Sequence, residues 1–102
     1  MMTVREGDKE DIRMGVEQVS GTGTWSLTTP LRRILDSSRA LVAGFDWAAC
    51  TWDSTNEELY WLFDSTAVGL TPAGTYYVQF RGSIGTEVLS DEVMVQVVEV
   101  GP

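Results

Sequence analysis

The sequence predicts an all-β chain, a single sandwich or barrel of about seven short strands. Three observations carry this. Apolar and polar residues alternate at period two through most of the chain, the pattern of half-buried strands. Turn chemistry built from Gly, Asp, Asn, Ser and Pro recurs about every ten residues. Helical spacing is found only across Pro30 to Ser38, where a nine-residue helix standing alone would be marginal.

Thr3 to Glu6 is a short strand closed by Gly7-Asp8. Glu10 to Val19 sets Ile12, Met14 and Val16 on one face, with Asp11, Arg13, Gly15 and Glu17 on the other, so it reads as a strand with one wet face. Ser20 to Gly23 is a turn, and Thr24 to Thr28 a brief strand with Trp25 and Leu27 on one side. Thr29-Pro30 suits the start of a helix, and Leu31, Ile34 and Leu35 follow at helical spacing. At most one short helical turn near 30–38, or an irregular crossover, fits these residues.

Ala40 to Trp52 is apolar at both parities, which predicts a central, well-covered strand, with Gly44 as the place for a bulge. Asp53 to Asn56 is a polar turn. Glu57 to Phe63 sets Leu59, Trp61 and Phe63 against Glu58, Tyr60 and Leu62. A closing hairpin follows. Tyr76, Val78 and Phe80 face one way; Tyr77, Gln79 and Arg81 face the other. Arg81 to Gly85 makes the connection, Thr86 to Leu89 starts the return, and Ser90 to Glu92 is a break or bulge. Val93, Val95 and Val97 then alternate to the last strand's end.

At 102 residues, one domain spanning 1–102 is expected, large enough for one modest core. Fifteen acids stand against seven bases, with no His and a net charge of −8. That balance argues against nucleic acid, which needs clustered Lys and Arg, and against an anionic membrane surface. The lone Cys50 excludes an intramolecular disulfide and the usual Cys/His zinc site. The opening MMTVREGDKEDI has charges where a signal peptide needs an apolar run, so a cytoplasmic protein is expected.

No set of residues builds a nucleophile: His is missing, and Cys50 lies in an apolar run as a small hydrophobe. Asp and Glu fall at turns and on wet faces and read as solvated surface. No enzyme, cofactor or metal is therefore expected. Asp53 to Glu58 offers oxygen ligands for calcium, yet lacks the glycine an EF-hand loop requires, and a polar turn explains the same residues. The aromatics are more informative. Trp25, Trp47, Trp52, Tyr60, Trp61 and Tyr77 are too many for one face of a small core. Rings left outside it either mark contact surfaces or are partly buried in the way ordinary for Trp. Trp47, Trp52, Tyr60, Tyr77, Gln79 and Arg81 are the candidate interaction residues.

Leu70-x-Pro72-x-Gly74-x-Tyr76 places a turn-fixing Pro, a permissive Gly and a Tyr at the head of a strand, with the hydroxyl free to bond back to loop backbone. That is the tyrosine corner of Greek-key sandwiches, and its spacing resembles that of fibronectin type III domains. A second resemblance spans most of Asp8 to Val100. An acidic N-terminal strand, Glu58-Leu59-Tyr60-Trp61-Leu62-Phe63-Asp64, the run from Leu70 to Phe80 and a Val-rich end follow in order. The chain is similar in this to the immunoglobulin-like β-sandwich domains of tailed-phage structural proteins, notably the N-terminal domain of BppU-type baseplate proteins. The resemblance implies an immunoglobulin-like (Greek-key) β-sandwich in a virion tail, baseplate, neck or head, assembled in the bacterial cytoplasm. It implies contacts with other virion proteins or with itself, homo-oligomers included, and carries over no catalytic residue. The alternative function is a carbohydrate-binding module, which needs two or three exposed Trp or Tyr rings coplanar on one open face.

Overall fold

Alternating residues from Gly74 onward build one long hairpin, and the rest of the chain is arranged on it. The computed structural model describes residues 2–16, 27–67, 70, 73–84 and 87–99. Among them are eight strands: β1 (Met2–Arg5), β2 (Lys9–Gly15), β3 (Thr28–Leu35), β4 (Ala48–Ala49), β5 (Thr51–Asp53), β6 (Glu58–Asp64), β7 (Gly74–Ile84) and β8 (Glu87–Val98). No helix is found among the described residues.

Two sheets form. One has five strands in the order β1-β8-β7-β3-β4, the other three in the order β2-β6-β5. β1 runs parallel to β8, and the remaining pairs are antiparallel. In chain order these are the strands A, B, C, C′, D, E, F and G of an immunoglobulin-like Greek key, with the first moved beside the last. The expected all-β sandwich is thus the fold.

The inward residues of both sheets meet in one core. Val4, Ile12, Ile34, Leu59, Phe63, Val78, Phe80 and Val95 are fully buried there. Burial of each large side chain contributes roughly 1.5–3 kcal/mol. A line of rings crosses the core from Phe45 to Trp61 (6.0 Å), Phe63 (6.1 Å) and Tyr76 (6.0 Å). Arg32 is also buried, its guanidinium 4.8 Å from the Trp61 ring and its Nη1 donating to the Asp46 carbonyl at 2.9 Å.

The middle of the chain departs from expectation in three places. Residues 28–35 are a strand, with no helical turn across 30–38. As a strand, this stretch gains ladder partners in both β7 and β4, which a lone helical turn could not match. Pro30 fits because the ladder slips between Thr28 and Leu31, with Thr29 at φ 54°.

Residues 40–52 are not a central strand. Leu41 makes one bridge to Leu35, and the chain turns at Gly44 with φ 85°. β4 then joins the edge of one sheet and β5 the edge of the other. The run is apolar at both parities without being covered on both sides: Val42 is buried, whereas Leu41, Ala43 and Ala49 are exposed.

Finally, Arg81 to Ile84 and Ser90 to Glu92 are ladder rather than turn and break. Gly82 pairs with Leu89 and Asp91 with Phe80. Gly82 leaves room for Leu27, whose side-chain carbons lie 2.6–2.9 Å from where a Cβ would stand. The expected turn at 20–23, Trp25 and Pro72 lie outside the described residues.

Candidate functional site

Alternation on β7 sends Tyr77, Gln79 and Arg81 to the outer face of the five-stranded sheet, while Tyr76, Val78 and Phe80 are buried. Register fixes their neighbours. Gln79 lies between Arg33 on β3 and Glu92 on β8; Tyr77 lies between Leu35 and Met94. The Arg33 Nε donates to the Gln79 Oε1 at 2.6 Å. Trp47, just ahead of β4, has the guanidinium groups of Arg33 and Arg81 at 4.7 and 4.4 Å from its ring centre. Arg39 lies 4.1 Å from the Tyr77 ring and donates to the Glu92 Oε1 at 2.9 Å. The result is a continuous run of Tyr77, Arg39, Glu92, Gln79, Arg33, Trp47 and Arg81. A groove of about 390 Å³ lies along it, bordered also by Ser90 and Asp91.

The loop that delivers Arg39 is tightly tied. The Asp36 Oδ1 accepts from the Ser38 backbone N–H (2.9 Å), the Ser38 hydroxyl (2.8 Å) and the Ala40 N–H (3.0 Å). These bonds, that of the Ser38 hydroxyl foremost, hold the Asp36 carboxyl below the usual aspartate range. Arg39 itself has φ 65°, a left-handed conformation unfavourable for a side chain of its size. Each exposed ion pair or arginine–ring contact contributes little to stability, on the order of 0.5–1 kcal/mol or less. Together they hold three long side chains in place. A partner then avoids part of the ordering cost, about 0.5–1.5 kcal/mol per side chain.

Trp47, Tyr77, Gln79 and Arg81 therefore come together, and the other two candidates do not. Tyr60 is on β6, on the outer face of the three-stranded sheet, with the Arg13 guanidinium 4.4 Å from its ring. Trp52, on β5, is half-buried against the core and pairs with the fully buried Leu59. The four rings thus divide three ways: Trp47 and Tyr77 on one outer face, Tyr60 on the other, and Trp52 against the core. Of the tyrosine-corner residues, Leu70 is fully buried, Gly74 has φ 147° and Tyr76 stands near the start of β7 with its ring on Phe63.

Arg33, Arg39 and Glu92 belong to the run without having been candidates. For Arg33 and Glu92 the signal is the same parity rule that finds Gln79, once β3 and β8 are known to flank β7; Arg39 lies in the loop after β3, where parity does not apply.

The Asp53–Glu58 loop is closed by its own bonds. The Asp53 Oδ1 accepts from the N–H groups of Thr55 (3.0 Å) and Asn56 (3.2 Å), its Oδ2 from the Asn56 side chain (2.9 Å) and the Arg13 guanidinium (3.3 Å). Among the described residues no group of three or more Cys, Asp or Glu is arranged to hold a metal ion. Burial pushes the Cys50 thiol up to about 11, against the pull of nearby Arg32, so it is protonated at neutral pH.

A scan against protein-family models finds no match, and a search of curated proteins finds none.

Proposed function

We propose that this domain is a non-enzymatic assembly module of a phage or prophage virion, a tail, baseplate, neck or head component. It works through protein–protein contact on the outer face of its five-stranded sheet. The observation that carries this reading is the run of Tyr77, Arg39, Glu92, Gln79, Arg33, Trp47 and Arg81. Protein interfaces favour Trp, Tyr, Met and Arg, and their energy concentrates in such residues. Met94, paired with Tyr77, adds an exposed apolar side chain. The virion setting rests on the resemblance of the strand order and of the Leu70–Phe80 run to phage structural domains.

The alternative reading, a carbohydrate-binding module, asks for two or three coplanar rings on one open face. Trp47 and Tyr77 share one face, but Tyr60 lies on the opposite face, Trp52 lies against the core, and the Arg39 guanidinium already lies over the Tyr77 ring, which favours a protein partner instead. In addition, arginine side chains already occupy the Trp47 ring.

Mass spectrometry of purified virus particles from the host carrying the gene tests the setting. The protein is expected in the particles at a fixed ratio to the other structural proteins. Its presence in infected cells but absence from washed particles would sink the reading.

A further inference from the structure

The two outer faces of the sandwich carry opposite excess charge. On the five-stranded sheet stand Arg33, Arg39, Arg81 and, alternating with buried Val4 on β1, Arg5; among the described residues Glu92, Asp91 and, bonded to the Trp47 N–H, Asp46 are acids beside them. Glu92 is taken by Arg39. Arg33 and Arg81 have no carboxylate within ion-pair distance among the described residues.

The three-stranded sheet is the reverse. One guanidinium, that of Arg13, is shared by Glu58 (3.2 Å), Asp53 (3.3 Å) and Asp11 (3.6 Å). Asp64 adds a fourth carboxylate, against Lys9 at 3.8 Å. Each face also has an apolar centre, Met94 beside Tyr77 on one and Leu62 beyond Tyr60 on the other.

We propose that the partner of the arginine face is the three-stranded face of a second copy of this chain, so that copies stack front to back. This rests on the assembly reading above and names its partner. The chain's net charge of −8 opposes any self-association, and distance decides the outcome. Sheets pack about 10 Å apart, so the centres of stacked sandwiches lie about 20 Å apart. That exceeds twice the Debye length of about 8 Å at physiological salt. The facing side chains, a few ångströms apart, are well inside it. Net repulsion is therefore screened more than local attraction.

The smaller face limits the contact. Three strands, the longest of seven residues, cover roughly 14 by 23 Å. This is well below a standard interface of about 800 Å² per partner, so the association is weak and salt-sensitive. Because two different faces meet, the contact is heterologous. It propagates into a ring if the rotation closes and into a filament if it does not.

Two neutralising double variants test this by light scattering, with folding confirmed by circular dichroism. Arg33→Gln/Arg81→Gln alters one face, Asp11→Asn/Glu58→Gln the other. The wild-type mass is expected to rise with protein concentration and fall as salt is raised from about 0.05 to 0.5 M. Each variant alone should associate at least about tenfold more weakly. Their equimolar mixture should recover a species of two chains and grow no further, because only one intact contact can form. Wild type that stays monomeric to roughly millimolar concentration at low salt overturns the proposal. So does a three-stranded-face variant that assembles like wild type. If monomeric protein is still found in particles, front-to-back stacking fails while the assembly reading stands.

Discussion

Arg39 joins a strained backbone to a side chain that makes only surface contacts, as the proposed contact role requires. It takes a left-handed backbone conformation that costs a large side chain free energy, and its guanidinium makes only exposed contacts with Tyr77 and Glu92. Gly would adopt the same φ without strain, although it would also loosen the unfolded chain. Arg39→Gly is therefore expected to change unfolding free energy by less than about 1 kcal/mol in urea titration, while weakening assembly. A loss well beyond that would make Arg39 a structural clamp rather than a contact residue. Arg32, next but one along β3 from Ile34, is the opposite case. It is buried on Trp61 and Phe45, and its Nε has no hydrogen-bond partner among the described residues. Its cation–ring contacts offset part of the cost of that orphan donor, about 1–3 kcal/mol.

At the scale of elements, β7 organises the molecule. It pairs with β8 over its whole length and with β3 on its other side, and it divides its residues cleanly between core and outer face. Gly82 lies on its buried side, where a methyl group would meet the side chain of the buried Leu27. Gly82→Ala is expected to cost about 1–3 kcal/mol in thermal or urea unfolding, by overpacking. A neutral result would mean that Leu27 is free to move aside. Strands with one wet face were legible in the sequence: Ile12 and Met14, Leu59 and Phe63, and Tyr76, Val78 and Phe80 each declare a parity. β3 was not, because Leu31, Ile34 and Leu35 satisfy helical spacing while Ile34 and Arg32 also satisfy the strand period. Nor was the β4–β5 crossing, since the run from Ala40 to Trp52 is apolar at both parities although β4 and β5 lie at sheet edges and most of the run is exposed or half-buried. Those two ambiguities also hid half the site. Tyr77, Gln79 and Arg81 followed from their own strand, and Trp47 from the surplus of rings. Arg33 and Glu92 depend on where the neighbouring strands lie, and Arg39 on the turn after β3, which no local pattern states.

At the scale of the whole molecule, a strongly acidic chain places four of its seven bases on one face of a sandwich. The core beneath that face is complete without them: Val78, Phe80 and Ile34 are fully buried under outward-facing Gln79, Arg81 and Arg33. Fold and proposed contact surface are thus expected to be separable. Trp47→Ala tests it most directly, with urea unfolding and incorporation into particles measured on the same protein. Trp47 is only half-buried at a sheet edge, so an unfolding change below about 1 kcal/mol is expected, together with a clear loss of incorporation. A variant that loses several kcal/mol of stability, or one that enters particles like wild type, would contradict the account.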